Sequence, residues 1–311
     1  MQRHHQQLRI TAIRQAFTLV ELLIVCAIIG ILVGLTFYTV NLVSHSSKVA
    51  KTRSTIQKID VAMMQIFETY ESRFAAIKRR VDVEYPLQSE NVRLRIAAHM
   101  IRDIMRMEMP QCWWEIRRYD SPHPPLSPIG ITNPTVVPPL NPQWSEYTRA
   151  TALLDFYHAA YNNGADSAAL LFLITQNLNP EALEAFHGSE VGRDRSGMLV
   201  FLDAWGRPIR FLRWAPGFID HSDLMHEEIA DPTDEREGAP GWLLYPLIYS
   251  AGPDGIYGIQ EGSAVIGTGG INGGILDPFA IDPDTGWQLG APDGTNRHFD
   301  NIHNHQRHRS F

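Results

Sequence analysis

The feature that most constrains this chain is an uncharged, apolar run close to its N-terminus. Glu21 is the only charged residue between Phe17 and Val43. The uncharged part, Leu22–Val43, is 22 residues long, or about 33 Å as an α-helix, which is enough to cross the hydrocarbon core of a bilayer. Residues 1–16 before it contain three arginines and no acid. The sequence therefore predicts a membrane-spanning helix, at about residues 19–43, behind a basic leader.

Three ordinary explanations of this run are possible, and Glu21 helps to distinguish them. A secretory signal has a shorter apolar region, of about 7–15 residues, and ends at a small-x-small cleavage site, which is absent after Val43. A plain signal anchor fits the length but gives no reason for Glu21, and a buried core helix gives no reason for the basic leader. A carboxylate inside a membrane is costly and usually functional. Any function assigned to this chain therefore has to account for Glu21.

The stretch AFTLVELLIV, residues 16–25, resembles the cleavage and methylation motif of type IV pilins and type II secretion pseudopilins. In that family a prepilin peptidase cuts before the phenylalanine and methylates the new amine. The resemblance implies cleavage between Ala16 and Phe17, N-methylation of Phe17, and pairing of Glu21 with the Phe17 amine of a neighbouring subunit during assembly. Ala16 stands where the family usually has glycine.

The charges on the two sides of the apolar run do not orient it in the membrane, because basic residues both precede and closely follow it. The resemblance implies a single-pass inner-membrane protein with a cytoplasmic N-terminus before processing and a body in the periplasm or in an extracellular filament. Its implied partners are further copies of the chain, other pseudopilins, the prepilin peptidase and the inner-membrane assembly platform. Loss of the leader changes the net charge from −7 to about −10, which argues against nucleic acid as a partner.

The helical periodicity continues beyond the membrane-spanning run and predicts one helix from about residue 18 to 80. Apolar residues recur there on one face: Val49, Ile56, Ile59, Met63, Ile66, Tyr70, Phe74 and Ile77. The predicted organisation is a leader (1–16), an N-terminal helix (17–84), a helical insertion (85–190) with a proline-rich loop (110–142), and a C-terminal sheet with an acidic, glycine-rich loop (191–311). Helices of the insertion are predicted at 89–108, 145–161, 167–177 and 180–186.

The C-terminal part changes to short apolar runs, 198–202 and 209–214, around the sequence DAWGRP, residues 203–208. We expect two strands joined by a tight turn, in which Gly206 has a positive φ and Asp203 accepts hydrogen bonds from nearby backbone. A third strand is predicted at 243–250, where Pro246 favours a position at the sheet edge. The predicted fold is therefore α+β and pilin-like, with a long helix, a helical insertion and a small antiparallel sheet.

The turn residues Asp203, Trp205, Gly206 and Pro208, followed by YSAGPDG at 249–255, resemble the C-terminal sheet of the major pseudopilin of type II secretion systems. That family has a DPWG-N-P turn and an S-x-G-x-D-G loop, and the loop after its last strand binds calcium. The resemblance implies a Ca²⁺ site with Asp254, and with Asp300 from a second acidic segment. Calcium needs six to eight oxygens, and further carboxylates of the loop are Glu261, Asp277, Asp282, Asp284 and Asp293. A solvated acidic loop without metal is the alternative.

Catalytic and cofactor motifs are absent from the sequence: there is no G-x-S-x-G elbow, no H-E-x-x-H and no G-x-G-x-x-G. The histidines at 298, 303, 305 and 308 are expected in a solvated tail, and the two cysteines define no disulfide framework. The prediction is a structural subunit rather than an enzyme. The rival hypothesis is a membrane-tethered periplasmic binding protein or enzyme that uses the same export segment.

Overall fold

The computed structural model describes residues 19–111, 165–195, 197–218, 245–261, 286–295 and 297–305. The chain divides into two compact units, Met1–Ser47 and Lys48–Phe311. The leader, most of the proline-rich loop and the predicted helix at 145–161 lie outside the described residues. Further helices and small antiparallel sheets follow an apolar N-terminal helix, so the fold is α+β with a pilin-like N-terminal helix, as the sequence predicted.

The first helix, α1, runs without interruption over 66 residues, Leu19–Glu84. Its segment Leu19–Thr36 is the one part of the described chain that is long and apolar enough to cross a membrane, and none of that segment is buried. The hydroxyls of Thr36 and Thr39 donate to backbone carbonyls one turn earlier, at 2.8–3.2 Å. Their polar atoms are thereby satisfied within the helix, as an apolar surrounding requires.

The second part of α1 carries the predicted apolar stripe into the core of the second unit. Ile56, Ile59 and Met63 are at most 1% exposed, because a spacing of three or four residues puts them on one face of the helix. Helix α2, Glu90–Glu108, begins after Ser89, whose hydroxyl accepts a hydrogen bond from a backbone amide in the first turn of α2.

Two ion pairs show that α2 runs antiparallel to the end of α1. Arg93, near the start of α2, lies 2.7 Å from Asp82, and Glu108, at the end of α2, lies 2.6 Å from Arg73. A small apolar cluster is buried between the two pairs, formed by Val81, Ile96 and Ala97.

The strands within the described residues form two antiparallel sheets. β1, Val191–Arg193, pairs with β2, Leu199–Phe201. The second sheet has the order β3–β4–β5, formed by Arg210–Leu212, Leu247–Ser250 and Ile302–His303. Helix α3, Ala165–Leu178, packs on β2 and β3, and its residues Ala168–Leu171 are fully buried. A 3-10 helix, Pro180–Ala185, follows α3.

The tight turn at 203–208 is confirmed, but its two flanking strands do not form one simple hairpin. Leu202 and Pro208 make an isolated bridge, and beyond it β2 pairs with β1 while β3 pairs with β4. The prediction that Pro246 places its strand at an edge is wrong, because β4 lies in the middle of its sheet. Pro246 is tolerated because β4 begins one residue later, at Leu247, so the proline removes no donor from the ladder.

The solvated tail predicted for the four histidines is also wrong for residues 302–303. They form β5, which pairs with β4, and His303 is 6% exposed. A strand of two residues has no alternation that a sequence pattern can reveal.

We expect Ile59→Ala to lower the free energy of unfolding by about 2–5 kcal/mol, because it leaves a cavity at a position with no solvent exposure. Val61→Ala is the matched control on the same helix, since Val61 is 59% exposed and its truncation should change stability by less than about 0.5 kcal/mol. Denaturant unfolding of the detergent-solubilised protein measures both variants. Equal losses in the two would show that the stripe does not face the core.

Candidate functional site

The N-terminal candidate site lies in the first turn of α1. Glu21 is the only acid of that turn, and its side chain is exposed, as are all described neighbours up to Thr36. The partial positive charge of a helix N-terminus favours a carboxylate at this place. Ala16 and Phe17, the predicted cleavage and methylation residues, lie outside the described residues.

A second functional region is a polar face of α1, formed by Lys51, Thr52, Thr55 and Lys58, which we call the docking face. Their spacing of one, three or four residues puts them beside the apolar stripe. Lys51 Nζ donates to Ser189 Oγ at 3.0 Å, and Thr52 Oγ1 accepts from the Ala204 amide at 3.0 Å. The docking face therefore ties α1 to the two loops that flank the β1–β2 sheet.

Glu190 is the centre of this contact, and its side chain is 3% exposed. Thr55 Oγ1 donates to Oε1 at 2.7 Å, Lys58 Nζ donates to both carboxylate oxygens at 2.9 and 3.1 Å, and the His187 amide donates to Oε2 at 2.8 Å. Burial disfavours the charged carboxylate, but the hydrogen bonds from the His187 amide, Lys58 and Thr55 together outweigh it and lower the pKa of Glu190 to about 2. The carboxylate is thus ionised at neutral pH.

Sequence analysis missed Glu190, because no motif surrounds it and its partner Lys58 is 132 residues away. A signal was present on the other side of the contact. Two threonines and two lysines on one helix face, next to an apolar stripe, indicate a polar surface, but they do not identify its partner.

The turn residues predicted from the sequence act as a structural unit around Asp203, which is 3% exposed. Its Oδ1 accepts from the amides of Trp205 and Arg207 at 2.8 and 2.9 Å, and its Oδ2 accepts from Ser250 Oγ at 2.7 Å. Gly206 has a φ of 78°, as the turn requires, and Trp205 packs against the main core. The side chain of Asp203 therefore joins the turn to the end of β4.

The Pro208 carbonyl contributes to a neighbouring polar group, because it accepts a hydrogen bond from the Tyr257 hydroxyl. The Arg210 guanidinium lies 3.6 Å from the centre of the Tyr257 ring and donates to both oxygens of Glu261 at 2.7 and 2.8 Å. Burial raises the pKa of Tyr257 to about 12. Glu261, which the sequence offered as a calcium ligand, is thus engaged in an internal ion pair.

The two predicted calcium residues lie close together. The Asp254 amide donates to Asp300 Oδ2 at 3.1 Å, while Asp254 Oδ1 accepts from the Ile256 amide at 2.7 Å. Asp293 is occupied in the same way, because its Oδ1 accepts from the amide of Thr295 at 2.8 Å. The other three candidate acids, Asp277, Asp282 and Asp284, lie outside the described residues.

The described oxygens do not fit a calcium site. Among residues that the structure describes, no group of three or more His, Cys, Asp or Glu side chains could hold a metal ion. Asp254 and Asp300 supply two carboxylates, each of which accepts a backbone N–H group, whereas calcium needs six to eight oxygen ligands. Calcium binding by the whole loop stays a prediction, and it competes with the arrangement that these residues form.

The chain is an α+β protein whose N-terminal apolar helix fits a membrane anchor. Residues 12–37 match the family model of the prokaryotic N-terminal methylation motif. The matched segment contains Ala16, Phe17 and Glu21, and it indicates a type IV pilin-like protein that is processed as a prepilin. No curated protein and no solved structure matches the chain.

The methylation motif also bears on partners and on catalysis. It implies processing by a prepilin peptidase and assembly with other pilin-like subunits. Proteins with this motif are generally structural subunits, which agrees in kind with the expectation that the chain is not an enzyme.

We expect the ion pair at the docking face to make stability depend on pH. The pKa of Glu190 is about 2 in the folded protein, against an ordinary 4.5, so its contribution is complete above pH 4.5 and is lost as the pH falls towards 2. Glu190→Gln should lower the free energy of unfolding at pH 7 by about 2 kcal/mol, a value reduced for the solvent access of Lys58. It should also flatten the pH dependence below 4.5.

Denaturant unfolding at pH 7 and pH 3 measures this effect. Glu68→Gln, a change at an exposed position of the same helix, is the control and should behave as the wild type. A Glu190→Gln variant with wild-type stability at pH 7 would show that the ionised carboxylate does not hold the two loops to α1.

Proposed function

We propose that the processed chain is a structural subunit of a type II secretion pseudopilus or of a related type IV pilus-like filament. The observation that carries this proposal is the methylation motif at residues 12–37, followed by a helix that continues from the apolar segment to Glu84. A secretory signal or a simple tether does not need a helix of this length. A filament subunit does, since the helix both anchors the protein and forms the spine on which its body is built.

Glu21 is the residue whose carboxylate links processing to assembly in this proposal. An ionised carboxylate among lipid-facing side chains is costly, and a cationic amine in the same poorly hydrated place makes it tolerable. Cleavage before Phe17 creates such an amine four residues from Glu21. In a filament the amine of an adjacent copy can approach the carboxylate from outside the helix. Assembly is thereby linked to processing.

The apolar segment of α1 has a surface that allows another helix to approach closely. Gly30 and Gly34 lie one turn apart, and apart from the adjoining residues and backbone of α1 no atom of the described residues lies within 4 Å of the place that a Cβ would occupy at either. Small residues at this spacing let helix backbones approach in a membrane. This supports contact between the N-terminal helices of several copies.

The proposed topology is a single pass through the inner membrane, with the leader in the cytoplasm and the second unit in the periplasm. The prepilin peptidase would act at the cytoplasmic face of the membrane, and the assembly platform and other pseudopilins would meet the processed helix within it. The acidic net charge of the chain suits an exported, soluble body.

We predict that Glu21→Ala will still be cleaved and will fold, because Glu21 is exposed and far in sequence from the core that begins near Val49. Its incorporation into filaments should fall roughly tenfold or more, which corresponds to about 1.4 kcal/mol or more per subunit contact. Epitope-tagged variants co-expressed with the wild-type chain can be measured in the sheared filament fraction. Glu21→Gln should show the same loss, since it keeps the size but removes the charge.

Glu68→Ala is the matched control for this experiment, because it removes an exposed glutamate from the same helix beyond the membrane segment. It should be incorporated as the wild type. Wild-type incorporation of Glu21→Ala would contradict the role of the carboxylate. Absence of any self-contact through α1, tested with a photo-cross-linking residue at position 28, would favour the tethered binding protein or enzyme instead.

A further inference from the structure

One side chain joins the tight turn at 203–208 to the loop that follows β4, residues 250–255, which we call the β4 loop. The Arg207 guanidinium donates through Nη1 to the carbonyl of Gly252 at 2.5 Å and to that of Pro253 at 3.3 Å. Its Nη2 donates to the Pro253 carbonyl at 3.4 Å. The planar guanidinium of arginine can thus donate hydrogen bonds to two successive carbonyls at once. A lysine ammonium group does this less well.

The backbone of the β4 loop is shaped to receive this guanidinium. Gly255 has a φ of 79°, and a Cβ there would lie 2.6 Å from Arg207 Cζ. Gly252, with a φ of 62°, would place a Cβ against the backbone carbonyl of Asp300. The positive φ favours glycine at both positions, and at Gly252 the backbone of Asp300 also leaves no room for a Cβ. The loop lies between Arg207 on one side and the segment at Asp300 on the other.

Two further hydrogen bonds complete the connection. Ser250 Oγ donates to Asp203 Oδ2 at 2.7 Å and accepts from the Gly252 amide at 3.1 Å. The Asp254 amide donates to Asp300 Oδ2 at 3.1 Å. The turn, the β4 loop and the segment before β5 are three separate stretches of chain, and these contacts join them.

We infer that the Arg207 guanidinium is the cation that holds the β4 loop in this protein. In the family that the chain resembles, calcium has this role in the corresponding loop. The carbonyls of Gly252 and Pro253 both accept hydrogen bonds from this one guanidinium, so a metal ion bound to the same two carbonyls would have to displace it or lie against it. A calcium ion next to a guanidinium would also bring like charges together. Arg207 stands at the position that is asparagine in the DPWG-N-P turn. The arginine therefore introduces a positive charge next to the carbonyls of Gly252 and Pro253.

This inference is independent of the filament proposal, and thermal unfolding of the processed full-length chain in detergent tests it. The wild-type melting temperature should be the same, to about 1 °C, in EDTA and in about 10 mM calcium, a concentration above the dissociation constants of weak extracellular calcium sites. Isothermal titration calorimetry should detect no calcium binding. Arg207→Ala should lower the melting temperature by roughly 5 °C in either buffer.

Two variants make the result specific. Arg207→Lys keeps the charge but loses the planar guanidinium, so its melting temperature should fall between those of Arg207→Ala and the wild type. Arg79→Ala, at an exposed position of α1, is the control and should melt as the wild type. A melting temperature that rises by several degrees with calcium in the wild-type chain would overturn the inference and support the calcium site. Unchanged melting of Arg207→Ala would overturn it as well.

Discussion

A carboxylate at the start of an apolar helix that fits a membrane anchor is the constraint on which the proposed function of this protein depends. Glu21 is the only charge from Phe17 to Val43, and the free energy of a carboxylate in hydrocarbon is high unless a cation is near. In the proposed filament subunit, processing before Phe17 supplies that cation as a new amine. In this proposal the chemistry of one residue connects cleavage, membrane insertion and association of subunits. The methylation motif that surrounds it implies processing by a prepilin peptidase and assembly with other pilin-like subunits.

In the second unit, apolar and polar contacts attach the sheets and loops to the part of α1 that belongs to this unit. Apolar side chains of α1 enter the core on one face, and on the adjacent docking face Lys58 and Thr55 hold the buried Glu190. Farther along the chain, Asn304 donates to Asp60 of α1 at 2.7 Å, so the segment after β5 is also attached to α1. The remaining faces of α1, with Glu68 among their residues, stay exposed.

Local sequence patterns predicted much of this structure, whereas contacts between residues far apart in the sequence could not be predicted. Periodicity predicted α1 through residue 80, and turn chemistry predicted the positive φ of Gly206 and the role of Asp203, because each depends on neighbouring residues only. The Glu190–Lys58 pair could not be predicted, since its members are 132 residues apart. The central position of β4 was missed because its partner β5 has two residues, too few for any pattern.

Mass spectrometry of the N-terminus of the protein isolated from its native membrane tests the central claim most directly. If the chain is a processed filament subunit, the first residue is Phe17, and it carries one additional methyl group on its amine. A protein that retains its first sixteen residues has no free amine beside Glu21. That result would contradict assembly through this carboxylate and leave a membrane-tethered body with another function.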